Sequence, residues 1–350
     1  MADRTQELVE RVQDAVGREA PLRIVGHDSK AFMGRRATGE VLSTAGHAGL
    51  TEYEPTELVV AARSGTTLAE LAELLETNGQ RLGCEPPGFS GATIGGTLAC
   101  NQSGPARPWL GSIRDHVLGI RLVNGRGEHL RFGGRVMKNV AGYDVTRLQA
   151  GAMGTLGLIT EVTLRVLPCP ERQATAVLEL DADEALEVMS EESREGGSLS
   201  GACWVDGRLY LRYSGLDVAV ADSLRRRGGE PLPDDDSFWT DLREQRLQFF
   251  GGEEPLWRIA GRSAAPLAGA GTWLLDWGGS QRWLRGFRDW HELQSLAEGM
   301  GGQLSLYRGG DRDGEVQHPR TPVQRRLHLA LKRAFDPQGL FNPGRLYSWM

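Results

Sequence analysis

Residues 5–17 set Leu8, Val9, Val12 and Val16 at helical spacing among polar neighbours, which predicts an amphipathic helix. The run Leu22-Arg-Ile-Val-Gly26 reads as a short strand that ends in a turn, and Leu58-Val-Val-Ala-Ala62 as a second strand. Thr66-Thr67 offers a cap for a helix through Leu75, with Leu68, Leu71, Ala72 and Leu75 facing inward and Asn78-Gly79 as its stop. Val117 to Val123 predicts a strand, Asn124-Gly125 a tight turn, and Glu128 to Phe132 the returning strand. Leu158 to Leu167 alternates as one more strand before Pro168 and Pro170 punctuate the chain, and a domain boundary is expected there.

Beyond it the pattern changes. Residues 171–320 are richer in charge and hold seven of the nine tryptophans. Strands are expected at Ala176–Leu180, Arg208–Tyr213 and Thr272–Asp276, and helices at Asp183–Ser193 and Ser280–Leu296. A last helix, Val323 to Phe335, precedes the turns Asp336-Pro337 and Asn342-Pro343-Gly344. The fold class expected is α+β, with a first domain over 1–170, a second α+β domain over 171–320, and a helix and tail over 321–350.

Composition adds limits. Hydrophobic residues at 40% and charged residues at 25% are ordinary for a globular protein. A net charge of -6 with interleaved basic residues argues against a nucleic-acid partner. Cys84, Cys100, Cys169 and Cys203 form no CxxC pair, and the histidines at 27, 47, 116, 129, 291, 318 and 328 show no ligand spacing, so no metal site is expected. The polar start and the lack of an apolar run near the ~20 residues that span a bilayer make the cytoplasm the expected location, with membrane contact only through partners. Glycine is the outlier: 47 residues, many of them clustered.

Three clusters suggest chemistry. One is Gly26-His27-Asp28-Ser29-Lys30, directly after a strand. The second is Gly91-Ala92-Thr93-Ile-Gly95-Gly96-Thr97, continuing to Asn101 and Ser103. The third is Gly142-Tyr143-Asp144 followed by Gly154, Gly157 and Ile159. Backbone N–H groups in such loops converge on phosphate oxygens, absent Cβ atoms allow close approach, and hydroxyls add donors. Such a site requires no cationic side chain. Taken singly, each loop reads equally as a turn. No GxGxxG opens a βαβ unit and no GxxxxGK[ST] occurs, so a nucleotide site here would be neither Rossmann nor P-loop.

In order and spacing these loops resemble the FAD-binding domain of the vanillyl-alcohol-oxidase/p-cresol-methylhydroxylase (PCMH) superfamily. Ser29-Lys30-Ala-Phe-Met-Gly34, Glu85-Pro86-Pro87, Arg107-Pro108-Trp109, the stretch from Arg131 through Lys138 to Asp144, Leu275-Asp276-Trp277-Gly278-Gly279 and Phe341-Asn342-Pro343-Gly344-Arg345 are similar to the FAD-binding second subunits of bacterial glycolate oxidases. The resemblance implies a two-subdomain PCMH-type FAD domain, with a cap domain and a tail that returns to it. It also implies a heteromeric, membrane-linked oxidoreductase that converts glycolate to glyoxylate, with a larger flavin subunit and an iron–sulfur subunit as partners. This chain would sit in the cytoplasm or at the inner face of the membrane. The Gly-Asp-Gly-Asn-x-His stretch of catalytic 2-hydroxy-acid subunits is missing. Gly309-Gly310-Asp311 with His318 is the nearest approach, and no catalytic residue is assigned.

Cofactor contacts are therefore expected from Gly26 to Lys30, Gly91 to Thr93, Gly95 to Thr97, Asn101, Ser103, Lys138, Gly142, Tyr143, Asp144, Gly154, Gly157, Ile159 and Asn342. His27 could carry a histidyl-flavin bond or simply offer backbone, and Cys84 a thioether or an ordinary buried thiol. Lys138 could stabilise charge on a reduced flavin or lie at a strand end. Arg107 and Arg114 suit a carboxylate, a phosphate or a surface ion pair. Phe238, Trp239, Phe249, Phe250, Trp257, Trp273 and Trp277 could face a partner or pack a core. Three roles follow: an electron-handling flavin subunit, a self-sufficient FAD oxidase of a small alcohol or hydroxy acid, or an assembly subunit with a vestigial site.

Overall fold

The computed structural model describes residues 3–134, 144–233, 235–267, 269 and 271–350. The chain forms two compact units. The first joins residues 1–102, 112–168 and 312–350; the second joins 103–111 to 169–311. The chain thus makes an excursion into the second unit at Ser103–Gly111, which the domain boundaries expected above do not contain.

The first unit is built around a five-stranded antiparallel sheet in the order Leu50–Glu54, Val59–Arg63, Leu158–Arg165, Val117–Val123, His129–Gly133. Helices Leu68–Glu76 and Ile94–Ala99 bury Leu68, Leu71, Leu75, Ile94 and Leu98 in its core with Ile120, Leu122 and Val162. The first of these starts at a capping box: the Thr67 hydroxyl accepts the Glu70 N–H, and the Glu70 carboxylate accepts the Thr67 N–H. A smaller second layer pairs Leu22–Val25 with Glu40–Ser43 in parallel. Helix Thr5–Arg18 packs there, with Leu8, Val12, Leu22, Leu42 and Phe341 in one cluster. Phe341 also bridges Leu22. The tail thereby returns to the first unit beside its earliest strand.

His47 is buried in this unit and neutral. Its Nδ1 accepts the Arg4 N–H at 3.0 Å and its Nε2 donates to Thr160 O at 3.0 Å. Burial holds its pKa below the usual histidine range. An unfolded chain therefore binds a proton that the folded chain refuses, so stability present above about pH 6.5 is lost as the pH falls toward the depressed folded value. His47→Gln can keep one acceptor and one donor without titrating. It is expected to flatten the fall in urea midpoint between neutral and mildly acidic pH. An unchanged fall would show that His47 does not contribute.

The second unit carries an eight-stranded sheet in the order Glu230–Pro231, Arg172–Glu179, Arg208–Gly215, Leu199–Val205, Trp273–Asp276, Gln281–Arg285, Leu256–Ala260, Gln303–Arg308. Helices Ala182–Glu195 and Asp217–Arg227 pack beneath it through Leu186, Met189 and Val220. The helix expected over Ser280–Leu296 is instead a strand, Gln281–Arg285, and a separate helix, Trp290–Gly299, capped by Asp289. The strand is buried over most of its length, so it shows no alternation, while Trp283, Leu284, Phe287 and Trp290 imitate helical spacing. Trp239, Phe249, Phe250, Trp257, Trp273 and Trp277 are all buried, which removes them from the pool of exposed partner contacts. Among the described residues no helix is long and apolar enough to cross a membrane.

Candidate functional site

The first unit holds a cleft of about 650 Å³, part of it open to solvent. One wall is the turn that ends strand Leu22–Val25. Asp28 adopts a left-handed conformation there (φ 57°) and its carboxylate is held by Arg23 at 2.8 Å. The facing wall is the start of helix Ile94–Ala99, where the Thr93 hydroxyl accepts the Gly96 N–H at 3.3 Å. His27 ties the two walls together: its Nδ1 lies 2.9 Å from Gly91 O, and since a carbonyl only accepts, that nitrogen carries the proton.

The walls approach so closely because Gly26 has no side chain. A Cβ at Gly26 would lie 2.4 Å from Thr93 Oγ1. The third wall is the turn Met153-Gly154. Gly154 is left-handed (φ 71°), and a Cβ there would meet Asn342 Nδ2 at 2.7 Å.

Asn342 does more than line the cleft. Its Oδ1 accepts the Ile24 N–H at 2.8 Å and its Nδ2 donates to Met153 O at 2.6 Å, so one buried amide joins the first wall to the third. Behind it sits a buried ion pair. Lys332 Nζ donates to Asp336 Oδ2 at 2.7 Å, Thr155 O at 2.8 Å and Phe341 O at 2.9 Å. Asp336 in turn accepts the Leu340 and Phe341 N–H groups at 3.0 and 2.8 Å. Sequence patterning missed this clamp, because a lysine and an aspartate four residues apart on a helix read as an ordinary solvated pair.

Two cations line the cleft. Lys30, 6% exposed, donates to Thr97 Oγ1 at 3.3 Å; Arg345, 8% exposed, donates to Lys30 O at 3.2 Å. Lys30 is among the residues expected at the site, whereas Arg345 is a second cation that the glycine loops gave no reason to expect. Cys100 lies beside them, its thiol pKa raised by burial against the opposing pull of Lys30 and Arg345. Ser64 Oγ faces this cleft region buried and without a hydrogen-bond partner.

Of the residues expected at the site, Gly26 to Lys30, Thr93, Gly95, Gly96, Gly154, Gly157, Ile159 and Asn342 line this one cleft. Others stand apart from its lining. Gly91 supports His27, Ala92 is core, Thr97 backs Lys30, and Asn101 is a left-handed turn residue (φ 49°). Ser103 belongs to the second unit, and Asp144 caps the short helix Val145–Leu148. Lys138, Gly142 and Tyr143 lie outside the described residues. Cys84 is core, and burial pushes its thiol up to about 12. Thr44, Ser64, Ala99, Cys100, Met153 and Arg345 also line the cleft. They carry no glycine-loop signal that would have singled them out.

A glycine-walled cleft with an orphaned hydroxyl and two buried cations fits an elongated, anionic dinucleotide. Comparison with known proteins agrees. Residues 1–133 match the family model of an FAD binding domain. The chain is 43% identical to the glycolate oxidase subunit GlcE of Escherichia coli (strain K12) over 348 residues, 99% of this chain and 98% of that protein. It is 32% identical to the glycolate oxidase subunit GlcD of Bacillus subtilis (strain 168) over 143 residues, 41% of this chain and 30% of that one. A solved structure of alkyldihydroxyacetonephosphate synthase shares the fold with a TM-score of 0.65 at 16% identity, covering 97% of this chain and 75% of its own. The mixed α+β architecture and the near full-length identity lead to one conclusion: the chain belongs to the family of the glycolate oxidase subunit GlcE, and its cofactor is FAD.

Proposed function

We propose that this protein is the FAD-binding subunit of a multisubunit enzyme that oxidises glycolate to glyoxylate. Its partners would be a larger flavin subunit and an iron–sulfur subunit that takes the electrons. The observation that carries the reading is identity to GlcE over essentially the whole of both chains, cleft and second unit together.

The chain's own residues suit the holding task. Gly26, Gly95 and Gly154 let backbone approach a diphosphate, and Lys30 and Arg345 supply buried positive charge toward it or toward the ring. The Ser64 hydroxyl gains in such a complex the partner that it lacks in the protein alone. When bound, FAD supplies a two-electron acceptor for a hydride from the substrate α-carbon. The His27–Gly91 tie and the Asn342 clamp hold the three walls at fixed separation.

The test is an absorption spectrum of the purified chain, before and after anaerobic glycolate, alone and with the two partner subunits. Visible flavin bands that persist with glycolate alone but bleach in the complex are expected. Bleaching in the isolated chain would place the oxidation on this subunit. A chain that carries no flavin and cannot be loaded would refute the reading.

A further inference from the structure

Arg258 lies in the second unit, in the middle of strand Leu256–Ala260. Its cross-strand neighbours are Trp283 on one side and Ser305 on the other. Its guanidinium carbon lies 5.8 Å from the centre of the Tyr307 ring, and Tyr307 meets Trp283 edge to face at 4.8 Å. Both rings are buried. The guanidinium thus stands among aromatic walls on one face of the eight-stranded sheet.

Its Nε is buried and has no hydrogen-bond partner. Arginine cannot shed its proton inside a protein, so the charge stays. A buried donor with no acceptor is destabilising, and more so when it is charged. The charged surroundings do not relieve this. Burial pulls the Arg258 guanidinium below the ordinary arginine range; Tyr307 opposes that shift and Arg107, a second guanidinium, adds to it. Arg107 is itself fixed over the Trp277 indole at 4.3 Å, and that indole N–H donates to Gly104 O at 3.0 Å. One further atom on this face is unsatisfied. Gln281, diagonal to Arg258 across the strand pair, donates through Nε2 to Asp276 at 3.1 Å, while its buried Oε1 has no donor.

An unsatisfied guanidinium Nε and an unsatisfied acceptor on one sheet face, with a second guanidinium close enough to act on the first, describe a polar ligand: an anion that also carries a hydrogen-bond donor. A planar guanidinium pairs best with a carboxylate, through two parallel N–H···O bonds. We propose that Arg258, supported by Arg107, binds the carboxylate of a small organic acid on this sheet face, with Gln281 Oε1 accepting from a hydroxyl next to that carboxylate. The site lies within the second unit and does not depend on the flavin reading of the first.

The experiment titrates oxalate and glycolate into the flavin-loaded protein, followed by tryptophan fluorescence and by thermal unfolding. Both acids are expected to bind the wild type and raise its Tm. Glycolate is expected to lose affinity in Gln281→Leu, where oxalate, which brings no hydroxyl, is unaffected. Arg258→Met is expected to lose at least about tenfold in affinity for both. Arg258→Lys keeps the charge without the fork and falls between. The distinguishing result concerns the ligand-free protein. If Arg258 were structural, Arg258→Met would lower the Tm. As an unpaired charge awaiting a ligand, its removal leaves the Tm unchanged or raises it. Unaltered oxalate affinity in Arg258→Met, or no oxalate binding by the wild type, would overturn the proposal. So would a ligand-free Tm that falls in both the methionine and the lysine variants. A flavin spectrum that stays intact throughout keeps this outcome separate from any failure in the first unit.

Discussion

Lys332→Met is expected to release the flavin and to destabilise the first unit by roughly 3–5 kcal/mol, the usual cost of stripping one partner from a buried ion pair. The lysine is 6% exposed and Asp336 1% exposed, so water cannot take over the lost bonds. Thr155 O and Phe341 O would go unpaired at once, and Asp336 Oδ2 would be left with the Phe341 N–H alone. The carboxylate would remain charged in an apolar surround. Thr155 and Phe341 flank the two backbone segments that Asn342 joins, so the damage reaches the cleft directly. Lys332→Met combined with Asp336→Asn removes both charges and is expected to recover part of the loss. Urea unfolding gives the stability, and the rise of free flavin fluorescence gives the release. A single variant that retains its flavin and its urea midpoint would show that the pair is not what holds the cleft.

Gly26→Ala is expected to behave in the opposite manner, with nearly unchanged stability and FAD affinity lower by on the order of 100-fold, or about 2.7 kcal/mol. The backbone at Gly26 is not left-handed, so alanine brings no conformational strain of its own. The only obstacle is the added methyl, 2.4 Å from Thr93 Oγ1 and 3.0 Å from Thr93 Cγ2. Relief requires the two walls to part, and the space between them is what a diphosphate would occupy. Thr93→Ala removes both offending atoms at the cost of a helix cap, about 1 kcal/mol. In a double-mutant cycle the second substitution should restore affinity to Gly26→Ala while lowering it in the wild type. Equal affinity of Gly26→Ala and wild type, by titration of FAD into the stripped protein, would remove Gly26 from the site.

The parts of this structure that the sequence discloses are those with a local cause. The Thr67–Glu70 capping box and the stop at Asn78-Gly79 depend on neighbours within a few residues, and the helix between them forms where its signals stand. The glycine loops are legible for the same reason, since clustered glycines have few other uses than turns and close approach. What is not legible depends on distant partners. Arg345 and Ser64 reach the cleft only because the tail bridges Leu22 and because the turn after Val59–Arg63 passes over the Thr93 helix start. Gln281–Arg285 reads as helix because burial on both faces erases the period of two that marks a strand. The Lys332–Asp336 pair looks like surface chemistry in one dimension and is core in three.

The Asn342 amide closes on Ile24 across 318 residues of sequence. Synthesis from the N-terminus delivers Gly26 to Lys30 early and must then traverse the entire second unit before the residue that fastens them can arrive. Until then the nascent protein has the three walls of its cleft and no clasp. Closing so long a loop is entropically slow compared with the local contacts of either unit. Any product that stops short of residue 342, by premature termination or by proteolysis, consequently lacks the fastening. A chain cut before residue 342 is therefore expected to lose FAD more readily than one that carries it.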